Sequence, residues 1–176
     1  FQAELQAISD LIVSRQRSDG AWFDPGHGPT GPGDVSLTQY GILGLWAAQR
    51  AECRVPAAVF ERATAYLIKN ANSDGGWRYH PGFDHGHEQG ASSHNMTLAA
   101  IGTIGVSRLL LYPDWEQDRP KMRFGALERI DGEGIGGPNY RPKVQLGSMN
   151  AAIERGQAWL RTRFVTVPPT PHKLYF

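Results

Sequence analysis

Ser18-Asp19-Gly20-Ala21-Trp22 recurs later in the chain as Ser73-Asp74-Gly75-Gly76-Trp77, at an offset of 55 residues. At the same offset, Ile12-Val13 matches Leu67-Ile68. Each copy follows an apolar stretch and opens a glycine-rich loop. Self-similarity at a fixed offset is typical of proteins built from stacked structural units, in which each unit packs against its neighbours. The sequence therefore predicts two copies of one helix–turn–helix unit.

Apolar residues at helical spacing surround both copies and predict helices rather than strands. No segment shows the alternation of apolar and polar residues that is typical of a strand. Ser36 and Asn95 are suited to cap the helices that follow the two loops. Pro56 is well placed in the first turn of a helix, and Pro113 stops one. The predicted helices lie at about Leu5–Ile12, Thr38–Ala51, from Val55 through Leu67, Thr97–Leu111 and Met149–Phe164.

A third unit begins near the end of the sequence. Arg155-Gly156-Gln157-Ala158-Trp159-Leu160 parallels Arg62-Ala63-Thr64-Ala65-Tyr66-Leu67 at an offset of 93. That offset exceeds 55 by 38 residues, which indicates an insertion in the irregular, polar segment 113–148. We therefore divide the chain into two helical-hairpin units over 1–112, the inserted segment 113–148, and the start of a third unit with an extended tail over 149–176.

Composition limits the classes of protein to consider. The 176 residues carry a formal net charge of +1, with 40% hydrophobic and 20% charged residues. This balance is typical of a globular domain, and it gives no indication of nucleic-acid binding. The single cysteine, Cys53, excludes an internal disulfide. The longest apolar run, roughly Leu98 to Tyr112, is shorter than the ~20 residues of a membrane span. These features do not indicate the cellular compartment of the protein.

The pattern Leu11-Ile12-Val13-x-x-Gln16-x-x-x-Gly20-x-Trp22 resembles the QW repeat of squalene–hopene and oxidosqualene cyclases. Asp34-x-Ser36-x-Thr38, followed by Gly41-Ile42-Leu43-Gly44-Leu45, resembles the helix opening of prenyltransferase and squalene-oxidase repeat proteins. The resemblance covers roughly residues 5–110. It implies an all-α fold in which helical hairpins form an α/α toroid, here as a partial ring. Prenyltransferase β subunits, cyclases and non-catalytic repeat proteins all carry such hairpins.

The resemblance also implies a structural role for the repeated residues. In such repeats the glutamine and tryptophan connect the end of one helix to its neighbour, which assigns this role to Gln16, Gly20 and Trp22. Gly75 and Trp77 are their counterparts in the second copy. There Ala71 stands in place of Gln16, with Asn70 and Asn72 as the nearest amides. We therefore do not expect the two turns to be connected in the same way.

The motifs that would carry catalysis in these families are missing. Class II terpene cyclases protonate an alkene with an aspartate of a D-x-D-D motif, and this sequence contains neither D-x-D-D nor D-D-x-x-D. Cys53 has no pattern of Asp and His around it that would match a zinc site. The favoured interpretation is thus a non-catalytic repeat module for assembly or binding, without a cofactor. The first alternative is part of a terpenoid cyclase or prenyltransferase-type enzyme whose catalytic residues lie outside this stretch.

Two further interpretations concern the loops. Loop aromatics could face a glycan or isoprenoid ligand, and the candidates are Phe23, Tyr79 and Phe83. A cluster of histidines, alongside Asp84 and Glu88, is a candidate for holding a metal, but a solvated polar loop is the favoured interpretation and no metal site is predicted. The histidines are His80, His85, His87 and His94. Because an open arc of hairpins cannot bury its own apolar edge, we expect the remainder of the same chain, or another protein chain, to complete the toroid.

Overall fold

A computed structural model describes residues 1–27, 32–82, 91–113, 135 and 140–163. Within these residues the protein is all-α, as predicted. Its regular structure consists of helices, with one short 3₁₀ turn at Pro25–His27 and two isolated β-bridges. None of these helices combines the length and apolar character that a membrane crossing requires. The part of the chain that the structure describes contains five α-helices: α1 (Gln2–Ser14), α2 (Val35–Arg50), α3 (Ala57–Lys69), α4 (His94–Leu111) and α5 (Leu146–Arg163).

The two helices that follow the glycine-rich loops, α2 and α4, pack side by side at the centre of the structure. The other helices surround them: α1 packs against α2, whereas α3 and α5 pack against α4. The apolar residues at helical spacing form the core between them. The largest fully buried side chains are Trp77, Phe60, Ile42, Leu45, Leu67, Ile104 and Met149.

The starts of the two central helices differ from the prediction. Asp34, not Ser36, caps α2, because its carboxylate accepts the backbone N–H of Leu37 at 2.9 Å. Ser93, not Asn95, caps α4 through the backbone N–H of Met96 at 3.2 Å. Both true caps have extended backbone angles, as N-cap residues do. Each cap residue also forms an isolated β-bridge with the tryptophan of its own turn. The bridge holds the cap residue in extended backbone, so the helix begins at the next residue.

The segment that leads into α5 is held against α3 by a buried carboxylate. Glu61 is 7% exposed, and its side chain accepts the backbone N–H groups of Lys143 and Val144. Burial, followed by the hydrogen bond and charge of Glu61, raises the pKa of Tyr140. The hydroxyl of Tyr112 donates to the carbonyl of Val144 at 2.7 Å. These contacts place α5 beside α4 even though most of the inserted segment separates them in sequence.

Candidate functional site

The two S-D-G-x-W turns share one backbone geometry. Gly20 and Gly75 have φ values of 99° and 93°, in the left-handed region that favours glycine. In both turns the aspartate accepts a backbone N–H two residues further on, at 3.1 Å for Asp19 and 3.0 Å for Asp74. Such a hydrogen bond within the turn fixes the chain reversal. The sequence identity between the two copies thus corresponds to matching local structure.

The indole groups of the turns close the ends of the preceding helices. Trp22 Nε1 donates to the carbonyl of Ile12 at 2.9 Å, and Trp77 Nε1 donates to the carbonyl of Leu67 at 2.8 Å. Both carbonyls belong to the last turn of a helix, where the regular bond to the residue four positions on is missing; each also accepts the backbone N–H of its C-cap residue, Arg15 or Asn70. The two tryptophans are 7% and 0% exposed. Each one therefore combines a large buried ring with a hydrogen bond that terminates a helix.

Two buried threonines connect the same tryptophans to the following helices. Thr38 Oγ1 accepts the backbone N–H of Trp22, and Thr97 Oγ1 accepts that of Trp77, both at 3.1 Å. Each threonine is fully buried. The sequence contained a signal for this pair, since Ser36-Leu37-Thr38 resembles Asn95-Met96-Thr97 at an offset of 59 residues. That spacing did not reveal the hydrogen bond.

Gln16 connects the first turn to a neighbouring helix. Its Nε2 donates to the carbonyl of Gly20 at 3.0 Å and to the carbonyl of Val59, in α3, at 2.9 Å. Its Oε1 accepts two hydrogen bonds from the guanidinium of Arg62, at 2.9 and 2.6 Å. This side chain thereby joins its own turn to α3.

The second turn uses a different connection, because Ala71 cannot replace these bonds. Asn70 donates to the carbonyl of Tyr66 within its own helix, and Asn72 donates to Ser92 Oγ. The contact with the next helix comes instead from Asp74, whose Oδ2 accepts Trp159 Nε1 of α5 at 2.7 Å. No pattern in the sequence indicated this pair, which lies 85 residues apart.

Each turn also lies directly on the backbone of a later helix. A Cβ placed on Gly20 would lie 2.1 Å from the carbonyl oxygen of Arg62 in α3. A Cβ placed on Gly75 would lie 3.1 Å from the carbonyl oxygen of Arg155 in α5. Arg62 and Arg155 are the residues that correspond at the offset of 93. The first turn thus covers α3, and the second turn covers α5 in the same register.

A groove of about 780 Å³ lies between the second turn, the start of α4 and the end of α5. Lys69, Arg78 and Arg163 contribute positive charge to its lining, and Asp74 contributes a negative charge. Arg163 lies over the ring of Trp159, 5.0 Å from its centroid. The cationic excess favours an anionic group over a cation in this groove.

The carboxyl of Asp74 titrates below its ordinary range. Burial opposes its ionisation, but hydrogen bonds from Ser92, Gly76 and Trp159 and the charge of Arg163 outweigh burial and lower the pKa of Asp74. A carboxyl whose pKa is lower in the folded than in the unfolded chain adds stability above the unfolded value of ~3.9. That contribution is lost as the pH falls through the folded pKa.

We therefore expect Asp74→Asn to lower the thermal midpoint at pH 7, where the native carboxylate is charged. The difference from the native chain should shrink as the pH falls from ~4 through the lower folded pKa of Asp74, because the unfolded chain takes up its proton first and the native carboxyl is protonated only below the folded pKa. The measurement is a series of thermal melts followed by circular dichroism from neutral pH down to about pH 2.5, below the ordinary range of a carboxyl. Asp10→Asn, which changes an exposed carboxyl of α1 outside the groove, is the control. A difference in thermal midpoint between Asp74→Asn and the native chain that stays constant with pH would contradict the lowered pKa of Asp74.

The histidines of the second loop are only partly described. His85 and His87 lie outside the described residues. His94 begins α4, where its Nε2 lies 2.7 Å from the carbonyl oxygen of Arg163 and its ring packs against that of Trp159. The ring of His80 packs against that of Tyr79 instead. Within the described part of the chain, no three His, Cys, Asp or Glu side chains gather closely enough to hold a metal.

The loop aromatics proposed to face a ligand make contacts within the protein. The hydroxyl of Tyr79 accepts Ser36 Oγ–H at 2.9 Å, and its carbonyl accepts the backbone N–H of Val35 at 3.0 Å. Phe23 is half-buried beneath the guanidinium of Arg17. Tyr79 keeps 44% of its surface exposed, while Phe83 lies outside the described residues. Tyr79 thus connects the second loop to the start of α2.

One comparison with known proteins gives a match. Over 80 residues, the chain is 34% identical to a drimenyl diphosphate synthase of Streptomyces showdoensis. The protein is similar to a terpene cyclase. The matched part is 46% of this chain and 14% of that enzyme. No family model matches the chain, and no solved structure matches it.

The match and the resemblance of the first turn to the QW repeat both point to terpenoid cyclases. The match covers a small part of the synthase. The described side chains form hydrogen bonds that connect helices to turns, and the full sequence contains no D-x-D-D. The residues that the fold brings together are therefore those that position helices.

Proposed function

We propose that this chain is a helical-hairpin segment of an α/α toroid in a terpenoid-cyclase-type protein, with the catalytic acid outside these 176 residues. The similarity to a drimenyl diphosphate synthase is the observation that carries the proposal. The matching geometry of the two turns supports it, because each turn holds a helix pair in the same register. The function of the segment is then to build a rigid wall, while other residues supply the proton.

The exposed face of α4 supports this role. Leu98, Gly102, Gly105 and Leu109 follow one another at helical spacing, and none of them is buried. A Cβ added at Gly102 or Gly105 would meet no atom within 4 Å. An uncharged, apolar surface of this kind suits an isoprenoid chain, since pockets for apolar ligands are lined mainly by apolar side chains.

The test begins with the complete reading frame that encodes this chain. We expect it to contain a D-x-D-D motif, and we expect its full product to convert farnesyl diphosphate, the probe, into a cyclised diphosphate. Because cyclisation leaves the mass unchanged, the dephosphorylated product is separated from farnesol by gas chromatography before mass spectrometry. Alanine at the candidate acid should abolish conversion. A complete frame without the motif, whose product leaves the probe unchanged, would favour the non-catalytic module instead.

The role of the exposed α4 face is tested separately in the protein encoded by the complete reading frame. Gly102→Leu should leave the thermal midpoint unchanged or raise it, because there is open space at this position and leucine favours helix. It should change the ratio of products or raise KM for the probe. Gly147→Leu, at an equally open position on α5, is the matched control and should change neither. Identical kinetics for both variants would refute the assignment of this face.

A further inference from the structure

The outer surface of α1 carries two large apolar residues in contact with water. Ile8 and Leu11 are 55% and 54% exposed. Their spacing of three residues places them side by side on one face of the helix. Neighbouring exposed apolar side chains are typical of a surface that contacts another segment or protein.

The residues that correspond to this pair are buried in the other two outer helices. At the offset of 55, Ile8 and Leu11 correspond to Ala63 and Tyr66 of α3, which are 0% and 6% exposed. At a further offset of 93, the corresponding residues of α5 are Gly156 and Trp159, and both are buried. The same two helix positions are thus covered in α3 and α5 and exposed in α1.

In both covered cases the preceding turn supplies the cover. The first turn covers α3: Gly20 lies against the carbonyl of Arg62, next to Ala63. Gly33, at the far end of the same loop, lies so close to Tyr66 that an added Cβ would be 2.6 Å from its hydroxyl oxygen. The first turn and its loop therefore account for the burial of both α3 residues.

The second turn covers α5 in the same way. A Cβ added to Gly156 would lie 2.9 Å from the ring of Trp77. Asp74 accepts the indole N–H of Trp159 at 2.7 Å. The cover therefore consists of the glycine, the aspartate and the tryptophan of one D-G-x-W turn, placed on the next outer helix.

We propose that α1 is the docking surface for a further D-G-x-W turn, carried by a helical hairpin of the same polypeptide on the N-terminal side of Phe1. In the register of α3, the glycine of that turn lies over the carbonyl of Ala7, and its backbone covers Ile8. Leu11 packs beside the loop that follows. The two covered helices carry this proposal, which does not depend on cyclase activity.

A second copy of this chain does not supply the missing cover. The full sequence contains two D-G-x-W turns, and both already lie against helices of their own chain. The occupant is therefore a turn that this sequence does not include. We assign the turn to the same polypeptide because of the chain order at α3 and α5. In both cases the covering turn comes earlier in the chain than the helix that it covers.

The first test is to read the coding sequence upstream of Phe1. The offset between repeats places the expected tryptophan on the order of 30 to 40 residues before Phe1. An upstream frame that encodes an amphipathic helix and a D-G-x-W or N-G-x-W turn is the expected result. An upstream frame without such a turn, or a start codon directly before Phe1, would overturn the proposal.

The second test compares the 176-residue chain with the chain extended upstream through that hairpin. Ile8→Lys should leave the thermal midpoint of the shorter chain unchanged and lower that of the extended chain by ~5 °C or more, as expected for a charge buried at an interface. Asp10→Lys is the matched control, because the corresponding Ala65 of α3 is exposed; it should affect neither form. Equal responses of the two forms to Ile8→Lys would overturn the proposal. So would a loss of stability that requires a separate second chain.

Discussion

Replacing Gly20 with alanine should lower the free energy of unfolding by about 3 to 5 kcal/mol, which is large for a single methyl group. The new Cβ would lie 2.1 Å from the carbonyl oxygen of Arg62, a separation that forces α3 away from the turn. The positive φ of 99° adds conformational strain that L-residues rarely tolerate. The measurement is chemical denaturation followed by circular dichroism.

Two other glycines separate the contributions of strain and contact. Gly75→Ala has nearly the same φ, but its Cβ would lie 3.1 Å from the carbonyl of Arg155. We expect a smaller loss of about 1 to 2 kcal/mol. Gly102→Ala, in the interior of α4 with open space around it, should be neutral or stabilising. Equal losses at Gly20 and Gly75 would show that backbone strain, not the approach to α3, sets the cost.

Replacing Trp77 with alanine should lower the free energy of unfolding by about 3 to 5 kcal/mol, the usual range for a buried tryptophan. The side chain is fully buried, packs against Gly156 and donates to the carbonyl of Leu67. Its removal leaves a cavity between α4 and α5 and takes one of two hydrogen-bond donors from the carbonyl of Leu67, which keeps the backbone N–H of Asn70. Thermal and chemical denaturation should both report the loss.

Trp77→Phe and Trp46→Ala serve as comparisons. Phenylalanine keeps most of the buried ring and removes the indole N–H, so about 1 to 2 kcal/mol should be lost. Trp46 is half-buried and lies under the guanidinium of Arg50, so alanine there should cost less than alanine at Trp77. A loss at Trp46 that matches the loss at Trp77 would indicate that the second turn has no special role in stability.

The sequence predicted the helices and the two turns because both depend on local patterns. Apolar spacing defined the helical segments, and the near-identity of Ser18–Trp22 with Ser73–Trp77 predicted one shared turn. Arg62 and Arg155, which correspond at the offset of 93, are the two positions on which the turns lie, but the sequence did not indicate that contact. Helix ends were less accurate: α4 begins at His94 rather than Thr97.

Other features depend on partners distant in sequence or on choices between similar residues. Asp34 and Ser36 are both good N-caps, and the β-bridge to Trp22 decides between them. The bond between Asp74 and Trp159 could not be predicted, because no spacing rule relates residues in different units. The same is true of Glu61, whose partners are backbone groups before α5. The toroid, the domain division and the role of the loop aromatics remain proposals.

The covering of α3 and α5 by earlier turns has a consequence for protein synthesis. A ribosome releases the first turn before α3 and the second turn before α5, and domains generally fold from the N-terminal end during translation. The helices α3 and α5 therefore each emerge when the turn that covers their apolar face is already available, and that face need not wait exposed for downstream sequence. We expect this order of units along the chain to limit aggregation of the nascent protein.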